Sequence, residues 1–127
     1  MIIDSKKKTV LIVDDEEIVW TILREALSAL DLYIIVALNG YEAIEQNRVM
    51  KPDLVIMDYK MPDIDGWKAA KQIKQFNKDA VIIGHTAYVN DEMMKIGLAS
   101  GCNEILLKPV DLDIWTETMY KYLNLKK

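Results

Sequence analysis

Residues 53–67, DLVIMDYKMPDIDGW, carry an acid out of an apolar segment and then turn sharply. Residues 54–57 form a continuous apolar run of the kind that lies inside a sheet covered on both faces. Asp58 follows this run directly, and Pro62 and Gly66 shape the loop before the next helical pattern begins. The stretch therefore predicts a rigid strand that delivers one carboxylate to the edge of a sheet.

The same strand-then-helix pattern occurs five times along the chain. Apolar and β-branched runs predict strands at 9–15, 33–38, 54–58, 80–86 and 104–108. Helical spacing of apolar residues predicts helices at 16–30, 40–50, 66–76, 91–100 and from 111 onward. Asn39 and Asp111 are predicted helix caps. This alternation predicts an α/β fold with helices on both faces of a parallel sheet.

The apolar stripes of the helices predict which side chains face the core. In the first helix the predicted inward residues are Ile18, Ile22, Leu23, Ala26, Leu27 and Leu30. The predicted inward residues of the third helix are Ala69, Ala70, Ile73 and Phe76. In the last helix the residues that recur at helical spacing are Ile114, Trp115, Thr118, Met119 and Tyr122.

Length and composition limit the classes of protein that the chain can belong to. The 127 residues are 51% hydrophobic and 28% charged, which predicts a single globular domain over 1–127 with an N-terminal tail at 1–7. Cys102 is the only cysteine, so no disulfide within the chain is possible and a cytoplasmic location is expected. There is no apolar run of about 18 residues, so no membrane association is expected. A net charge of −4 argues against nucleic-acid binding.

Chemically useful side chains follow the predicted strands at the points where those strands end. The first strand ends in Asp14 and Asp15, the third in Asp58, the fourth in Thr86 and the fifth in Lys108. In parallel α/β sheets, functional groups gather beyond the carboxyl ends of the strands. These side chains are therefore expected to lie together.

Such a group of side chains predicts a metal-dependent phosphoryl site. Carboxylates that converge at one edge repel one another unless a cation lies among them, and all-oxygen ligands favour Mg²⁺. Lys108 adds a positive charge and Thr86 a hydroxyl, which together can bind a phosphoryl group. Asp58, on the central strand, is the best candidate for a carboxylate nucleophile.

Four short motifs then identify a family resemblance. VDDE at 13–16, MDYKMPDIDG at 57–66, HTA at 85–87 and LKP at 107–109 resemble, in this order, bacterial response-regulator receiver domains. The resemblance covers residues 8–125. It implies a flavodoxin-like, doubly wound sheet of five parallel strands in the order 2-1-3-4-5. It also implies a two-component phosphorelay, in which a sensor histidine kinase or a phosphotransfer domain donates a phosphoryl group to an aspartate.

The resemblance also assigns roles to individual residues. Asp58 is implied to be the phosphoacceptor. The implied Mg²⁺ (or Mn²⁺) ligands are Asp14, Asp15, Asp58 and the main-chain carbonyl of Lys60. The implied phosphoryl-binding groups are Thr86, Lys108 and the main chain of Ala87. A cis peptide bond between Lys108 and Pro109 is implied as well.

The resemblance leaves the signalling step partly open. Many receivers have Tyr or Phe three residues before the lysine, whereas this chain has Ile105. We therefore expect a switch that depends on Thr86 and its loop, with Ile105 limiting how far the signal propagates. The signal is expected to reach a downstream protein at the face formed by helix four, strand five and helix five. Tyr88, by crowding the attacking water, and Lys60, by adding positive charge beside the phosphoryl group, are expected to lengthen the phosphorylated lifetime.

Other functions remain as alternatives to a signalling phosphoacceptor, which would not be a turnover enzyme. An aspartate-nucleophile phosphatase-like enzyme would have a second aspartate where this chain has Lys60. A non-phosphorylated interaction domain, or a flavin-binding domain, of the same fold is the third class. His85, one residue before Thr86, is interpreted as structural because its side chain should point to the opposite face of the sheet. Asp63 and Asp65 are interpreted as turn and cap residues.

Overall fold

The computed structural model describes residues 7–125, so residues 1–6 of the predicted tail lie outside the described part of the chain. The strands are β1 Lys8–Val13, β2 Leu32–Ala37, β3 Leu54–Met57, β4 Val81–Thr86 and β5 Glu104–Leu107. The helices are α1 Glu17–Leu27, α2 Gly40–Met50, α3 Gly66–Phe76, α4 Asp91–Ser100 and α5 Leu112–Leu123. Each predicted element is present, and between residues 7 and 125 no helix has the length and apolarity to cross a membrane.

The five strands form one parallel sheet in the order β2-β1-β3-β4-β5, which confirms the predicted doubly wound fold. Its register controls which side chains become neighbours at the carboxyl edge. Val13 pairs with Met57, so the residues that follow them, Asp14 and Asp58, leave the sheet side by side. Met57 in turn pairs with Gly84, two residues before Thr86.

Two apolar clusters cover the two faces of the sheet. On one face, Val10 and Ile12 of β1 pack with buried residues of α1 and α5. On the other face, Leu11 and Val13 pack with buried residues of α2 and α3, among them Trp67. Successive strand residues thus alternate between the clusters, and both faces of β1 are buried as the continuous apolar run predicted.

The predicted apolar stripe of α1 was too wide. Ile18 is 65% exposed and Ile22 is 60% exposed, whereas Leu23 and Leu27 are buried against the sheet. Ile18 lies five residues before Leu23, which places it about 140° around the helix from the buried face.

Two further inward predictions were wrong for the same kind of reason. Phe76 is 39% exposed, at the last residue of α3, and the Arg48 guanidinium lies over its ring at 4.5 Å. Ile114 is 43% exposed, because the neighbouring Trp115 occupies the buried position at the start of α5.

Helix caps follow the sequence at most ends. The Asn39 side chain accepts from the Glu42 amide, and α4 ends at Gly101, whose φ of 122° favours glycine. Asp111 occupies the first position before α5, but within the described residues its side chain makes no capping hydrogen bond. That part of the cap prediction was wrong: Asp111 contributes only its backbone carbonyl, which accepts from Ile114 and Trp115.

Candidate functional site

Two buried carboxylates stand side by side at the carboxyl edge of the sheet. Asp14 is 1% exposed and Asp58 is 5% exposed. The sheet fixes both backbones: the Asp58 amide donates to the Val13 carbonyl at 3.0 Å, and the Asp14 amide donates to the Ala37 carbonyl at 3.1 Å. The apolar strands therefore hold both acids in fixed positions.

Lys108 links the two acids. Its Nζ lies 2.8 Å from Asp14 Oδ2 and 3.4 Å from Asp58 Oδ1. The Lys108 amide donates to the Thr86 carbonyl at 2.8 Å, which continues the β4–β5 pairing to the edge. The peptide bond between Lys108 and Pro109 is cis, as the resemblance implied.

One ammonium does not fully compensate two buried carboxylates. Burial, together with the negative charge of Asp14, raises the pKa of Asp58 to about 6, although the charge and hydrogen bond of Lys108 act against this rise. Desolvation alone would lower the pKa of Lys108, but its hydrogen bond to Asp14 and the two carboxylate charges outweigh that effect and raise it. The site thus keeps excess negative charge, which an added cation would neutralise.

A cluster of three acids provides the groups to bind such a cation. Carboxylate oxygens of Asp14, Asp15 and Glu16 lie within 4.8 Å of one another. The Glu16 amide donates to Asp14 Oδ1 at 2.9 Å, which fixes the turn after β1. All these donors are hard oxygen atoms, so they fit Mg²⁺ or Mn²⁺. Asp58 is joined to this cluster through Lys108, and Glu16 is a candidate ligand that the sequence reasoning did not include.

An open cleft of about 680 Å³ lies over these acids. Most of the predicted site residues line it, namely Asp15, Asp58, Lys60, Thr86, Ala87, Tyr88 and Lys108. Asp14 lies beneath the cleft, in contact with Lys108. Ile105 is placed elsewhere, packed against the cluster of buried residues that contains Trp67.

Among the described residues, the Thr86 hydroxyl makes its hydrogen bond within the loop that follows β4. Its Oγ1 donates to the Tyr88 carbonyl at 3.3 Å, and the residue is 4% exposed. Tyr88 itself is 67% exposed at the mouth of the cleft. This hydrogen bond ties Thr86 to the loop before α4.

The loop between β3 and α3 is tied down at its start. The Tyr59 amide donates to Asp58 Oδ1 at 2.9 Å, and the Gly66 amide donates to the Tyr59 carbonyl at 2.7 Å. A Cβ at Gly66 would lie 1.9 Å from the Asp58 carbonyl oxygen, so only glycine permits this close approach. Lys60, whose carbonyl is a predicted metal ligand, lies inside this closed loop.

Asp63 anchors the same loop to a different helix, a role that the sequence reasoning missed. Asp63 Oδ1 accepts from the Gly40 amide at 2.9 Å and Oδ2 from the Tyr41 amide at 2.8 Å, at the start of α2. Desolvation is outweighed by these backbone hydrogen bonds, which lower the pKa of the carboxyl. Its partners are 23 and 22 residues away, so no local pattern could reveal the contact. Asp65 is the predicted cap, accepting from the Lys68 amide.

His85 lies on the other face of the sheet, as the alternation predicted. It is 5% exposed, and its ring is 5.1 Å from that of Trp115. Burial and the positive charge of Lys108 lower its pKa to about 3, so the ring is neutral at physiological pH. This environment agrees with a structural histidine.

Comparison with known proteins gives one consistent family. Residues 10–119 match the family model described as response regulator receiver domain. The chain is 40% identical over 102 residues to chemotaxis protein CheY of Halobacterium salinarum, covering 80% of this chain and 85% of that protein.

Two solved structures have the same fold. One match is in the co-crystal structure of the Saccharomyces cerevisiae histidine phosphotransfer protein Ypd1 and the receiver domain of its downstream response regulator Ssk1. The TM-score is 0.84 at 31% identity, covering 91% of this chain and 88% of that chain. The other is the CheX-CheY-BeF3-Mg complex of Borrelia burgdorferi (TM-score 0.85, 27% identity, 94% and 90%).

The raised pKa of Asp58 predicts a pH-dependent stability in the presence of a chelator. The pKa of Asp58 is about 6 in the native protein and 3.8 for a carboxyl group in water, the value expected in the unfolded chain. Between these two pH values the native protein therefore binds more protons than the unfolded chain. The free energy of unfolding should therefore fall as the pH rises from about 4 to about 6. Urea unfolding of wild type and Asp58→Asn across this range should show a difference that changes by about 1–3 kcal/mol, at roughly 1.4 kcal/mol per unit of pKa. If the free energies of unfolding of the two proteins changed in parallel with pH, the raised pKa of Asp58 would be contradicted.

The Asp63 contact predicts an effect on metal binding through the loop. Asp63→Ala should weaken Mg²⁺ binding by up to about tenfold, because the loop that carries the Lys60 carbonyl loses its anchor. Asp63→Asn keeps one acceptor oxygen, so its affinity for Mg²⁺ should lie between those of wild type and Asp63→Ala.

Asp53→Ala is the matched control. The Asp53 carboxylate also accepts from a backbone amide, that of Thr9 at 2.8 Å, but at the opposite end of β3. Calorimetric titration of the folded variants with Mg²⁺ measures the effect, and equal affinities for wild type and Asp63→Ala would show that the anchor is irrelevant to the metal.

Proposed function

The chain belongs to the response regulator receiver domain family of two-component signalling, and on that premise we propose that it accepts a phosphoryl group on Asp58 in a Mg²⁺-dependent reaction. The observation that carries the proposal is the position of Asp58. Its carboxylate is fixed at the end of β3, 3.4 Å from the Lys108 ammonium and at the floor of an open cleft.

The chemistry follows from a carboxylate nucleophile. An Asp58 oxygen attacks the phosphorus of a phosphohistidine, the P–O bond forms, the P–N bond breaks, and the departing imidazole takes up a proton. A pKa of about 6 leaves Asp58 ionised at neutral pH, as a nucleophile must be. The Lys108 ammonium and the hydroxyl of Thr86 are the groups in the cleft that can stabilise the phosphoryl oxygens.

Asp14, Asp15 and the main-chain carbonyl of Lys60, together with Asp58, are the groups that would hold the metal. Bound there, Mg²⁺ supplies positive charge that screens the acids from the incoming phosphoryl group and draws charge from its oxygens. Lys108 already neutralises part of the pair formed by Asp14 and Asp58, so the metal and the lysine act on the same excess charge.

We further propose that the chain is a phosphoacceptor and not a turnover phosphatase. An aspartate-nucleophile phosphatase needs a second acid beside the nucleophile to protonate the leaving group. The exposed Lys60 stands two residues after Asp58, at the place where such an enzyme has that acid. The cytoplasmic location expected from the sequence stays a prediction.

A second, apolar cleft is a candidate docking site for the protein that donates the phosphoryl group. It has a volume of about 290 Å³ between α1 and α5, and it shares Lys108 with the acidic cleft. Ile22 and Leu112 line it and are 60% and 53% exposed. A donor that packs there would bring its phosphohistidine over Asp58. The yeast relative whose structure is similar was solved with a histidine phosphotransfer protein.

The face formed by α4, β5 and α5 is the proposed surface for a downstream protein. Ile96 and Leu107, on α4 and β5, are 49% and 53% exposed, and Ile114 on α5 is 43% exposed. Thr86 and Lys108 directly precede the loops to α4 and α5, so changes at the cleft reach these elements first. The similar CheY of Borrelia burgdorferi was solved with the protein CheX.

Phosphoacceptor activity is tested with acetyl phosphate and a phosphorylated histidine phosphotransfer protein as donors. Wild type should be labelled by both donors only when Mg²⁺ is present. Asp58→Asn should lose labelling by both, because the nucleophile is gone. Asp15→Asn should lose the stabilisation by Mg²⁺, which for wild type is about 2.7 kcal/mol at a hundredfold excess over the dissociation constant. Full labelling of folded Asp58→Asn would place the nucleophile elsewhere.

Docking is separated from chemistry by one further pair of variants. Ile22→Asp should be labelled normally by acetyl phosphate but slowly by the protein donor, since the charge disrupts the apolar cleft. Val49→Asp is the control, because Val49 is 67% exposed on α2, which covers the opposite face of the sheet from α1 and α5. Equal labelling of both variants by the protein donor would exclude the α1–α5 cleft as the docking site.

The lifetime of the phosphorylated state should depend on Lys60 and Tyr88. Both line the cleft, and Tyr88 is large enough to obstruct the water that hydrolyses the acyl phosphate. Tyr88→Ala and Lys60→Ala should therefore lose phosphate faster than wild type in the same buffer. Decay of the labelled proteins after removal of the donor measures this, and unchanged decay in both variants would show that another feature sets the rate.

A further inference from the structure

Trp67 is the second residue of α3 and the largest side chain in the core beside the cleft. It is 2% exposed and follows Gly66, the residue that closes the loop after Asp58. Its position places one rigid ring between the loop of the phosphoacceptor and the elements that carry the proposed downstream face.

On one side, the indole contacts the loop. The rings of Tyr59 and Trp67 lie 5.1 Å apart at an interplanar angle of 60°. Tyr59 in turn donates its amide to Asp58 Oδ1 and accepts from the Gly66 amide. A change in the charge or bonding of the Asp58 carboxylate therefore acts directly on the residue that packs against Trp67.

On the other side, the indole contacts β4 and α4 at two glycines. A Cβ at Gly84 would lie 2.8 Å from Cη2 of Trp67, and a Cβ at Gly97 would lie 2.9 Å from its Cε2. Ile105 of β5 closes the same two positions. A Cβ at Gly84 would lie 3.0 Å from Cγ1 of Ile105, and a Cβ at Gly97 would lie 2.6 Å from its Cδ1. The indole and Ile105 thus fill one space between β4 and α4, which only glycines leave free.

The indole is also incompletely satisfied in this conformation. Within residues 7–125, its Nε1 is buried and has no hydrogen-bond partner. A buried donor without an acceptor is disfavoured, so apolar packing, and not a hydrogen bond of Nε1, holds the ring in place. The ring contacts both the loop after Asp58 and the elements that carry the proposed downstream face, which is the placement that physical coupling requires.

We propose that Trp67 couples the state of Asp58 to the position of α4 and β5, acting as a positioning residue between the cleft and the downstream face. This inference rests on the proposed function, since it concerns how phosphorylation at that site is transmitted. It also changes the expectation for Ile105. The lack of an aromatic residue on β5 does not interrupt transmission, because the aromatic ring in this space comes from α3.

Fluorescence of proteins with one tryptophan tests the proposal while Trp67 stays in place. Trp20→Phe/Trp115→Phe leaves Trp67 alone, and Trp20→Phe/Trp67→Phe leaves Trp115, which is equally buried on the opposite face of the sheet. Beryllofluoride with Mg²⁺ is the probe. The emission of Trp67 should change with the same midpoint as probe binding and by more than that of Trp115, because Trp67 packs against Tyr59 whereas Trp115 lies on the opposite face of the sheet. An emission of Trp67 that is constant up to saturation would overturn the proposal.

Hydrogen exchange of the amides in residues 97–107 tests whether the signal needs the indole. Beryllofluoride should change their exchange in wild type and in Trp115→Phe. In Trp67→Phe the probe should still bind, but the change in exchange should be largely lost, because the smaller phenyl ring no longer fills the space beside Ile105.

The outcomes separate this inference from the proposed function. If wild type does not bind beryllofluoride, the phosphoacceptor assignment is wrong and the coupling falls with it. If Trp67→Phe binds the probe and residues 97–107 respond as fully as in wild type, the function stands and the coupling is refuted. Should Trp67→Phe not fold, the fluorescence result alone supports or overturns the proposal.

Discussion

The ammonium of Lys108 between two buried carboxylates is the interaction on which the rest of the site depends. Asp14 and Asp58 are almost inaccessible to solvent, and Nζ reaches both of them, at 2.8 and 3.4 Å. Burying two acids with one base is unfavourable unless another cation arrives, because desolvation outweighs the attraction of a single pair. The raised pKa of Asp58 is the measure of this imbalance. Removing Lys108 would leave two uncompensated buried charges, so the fold and the proposed chemistry depend on the same contact.

Backbone geometry, more than side-chain contacts, holds the acids in register. The pairing of Val13 with Met57 sets Asp14 beside Asp58, and the β4–β5 pairing brings Lys108 to the same edge. Gly66 then closes the loop directly over the Asp58 carbonyl oxygen. A site built on strand ends and one glycine contact loses little entropy when a phosphoryl group binds, because its groups are already in place.

The sequence was sufficient for features that depend on local order and on the parallel sheet. Asp58 and Lys108 were predicted because parallel strands end at one edge, whatever their distance in the chain. Which face of α1 is buried was not predictable, because Ile18 and Leu23 are both apolar and only packing against the sheet distinguishes them. The role of Asp63 depends on amides 22 and 23 residues away, and no local pattern records such a contact.

The space around Ile105 shows why a family motif, taken position by position, underestimates what a core can do. A missing aromatic ring on β5 would leave a void if nothing else changed, and core voids are costly. Here the Trp67 indole from α3 fills that space against Gly84 and Gly97, at the expense of a buried N–H without a partner. The packing that replaces the aromatic residue on β5 thus joins the loop after Asp58 to β4 and α4 through one side chain, so the place of the ring in the fold, and not the strand that carries it, decides what it can connect.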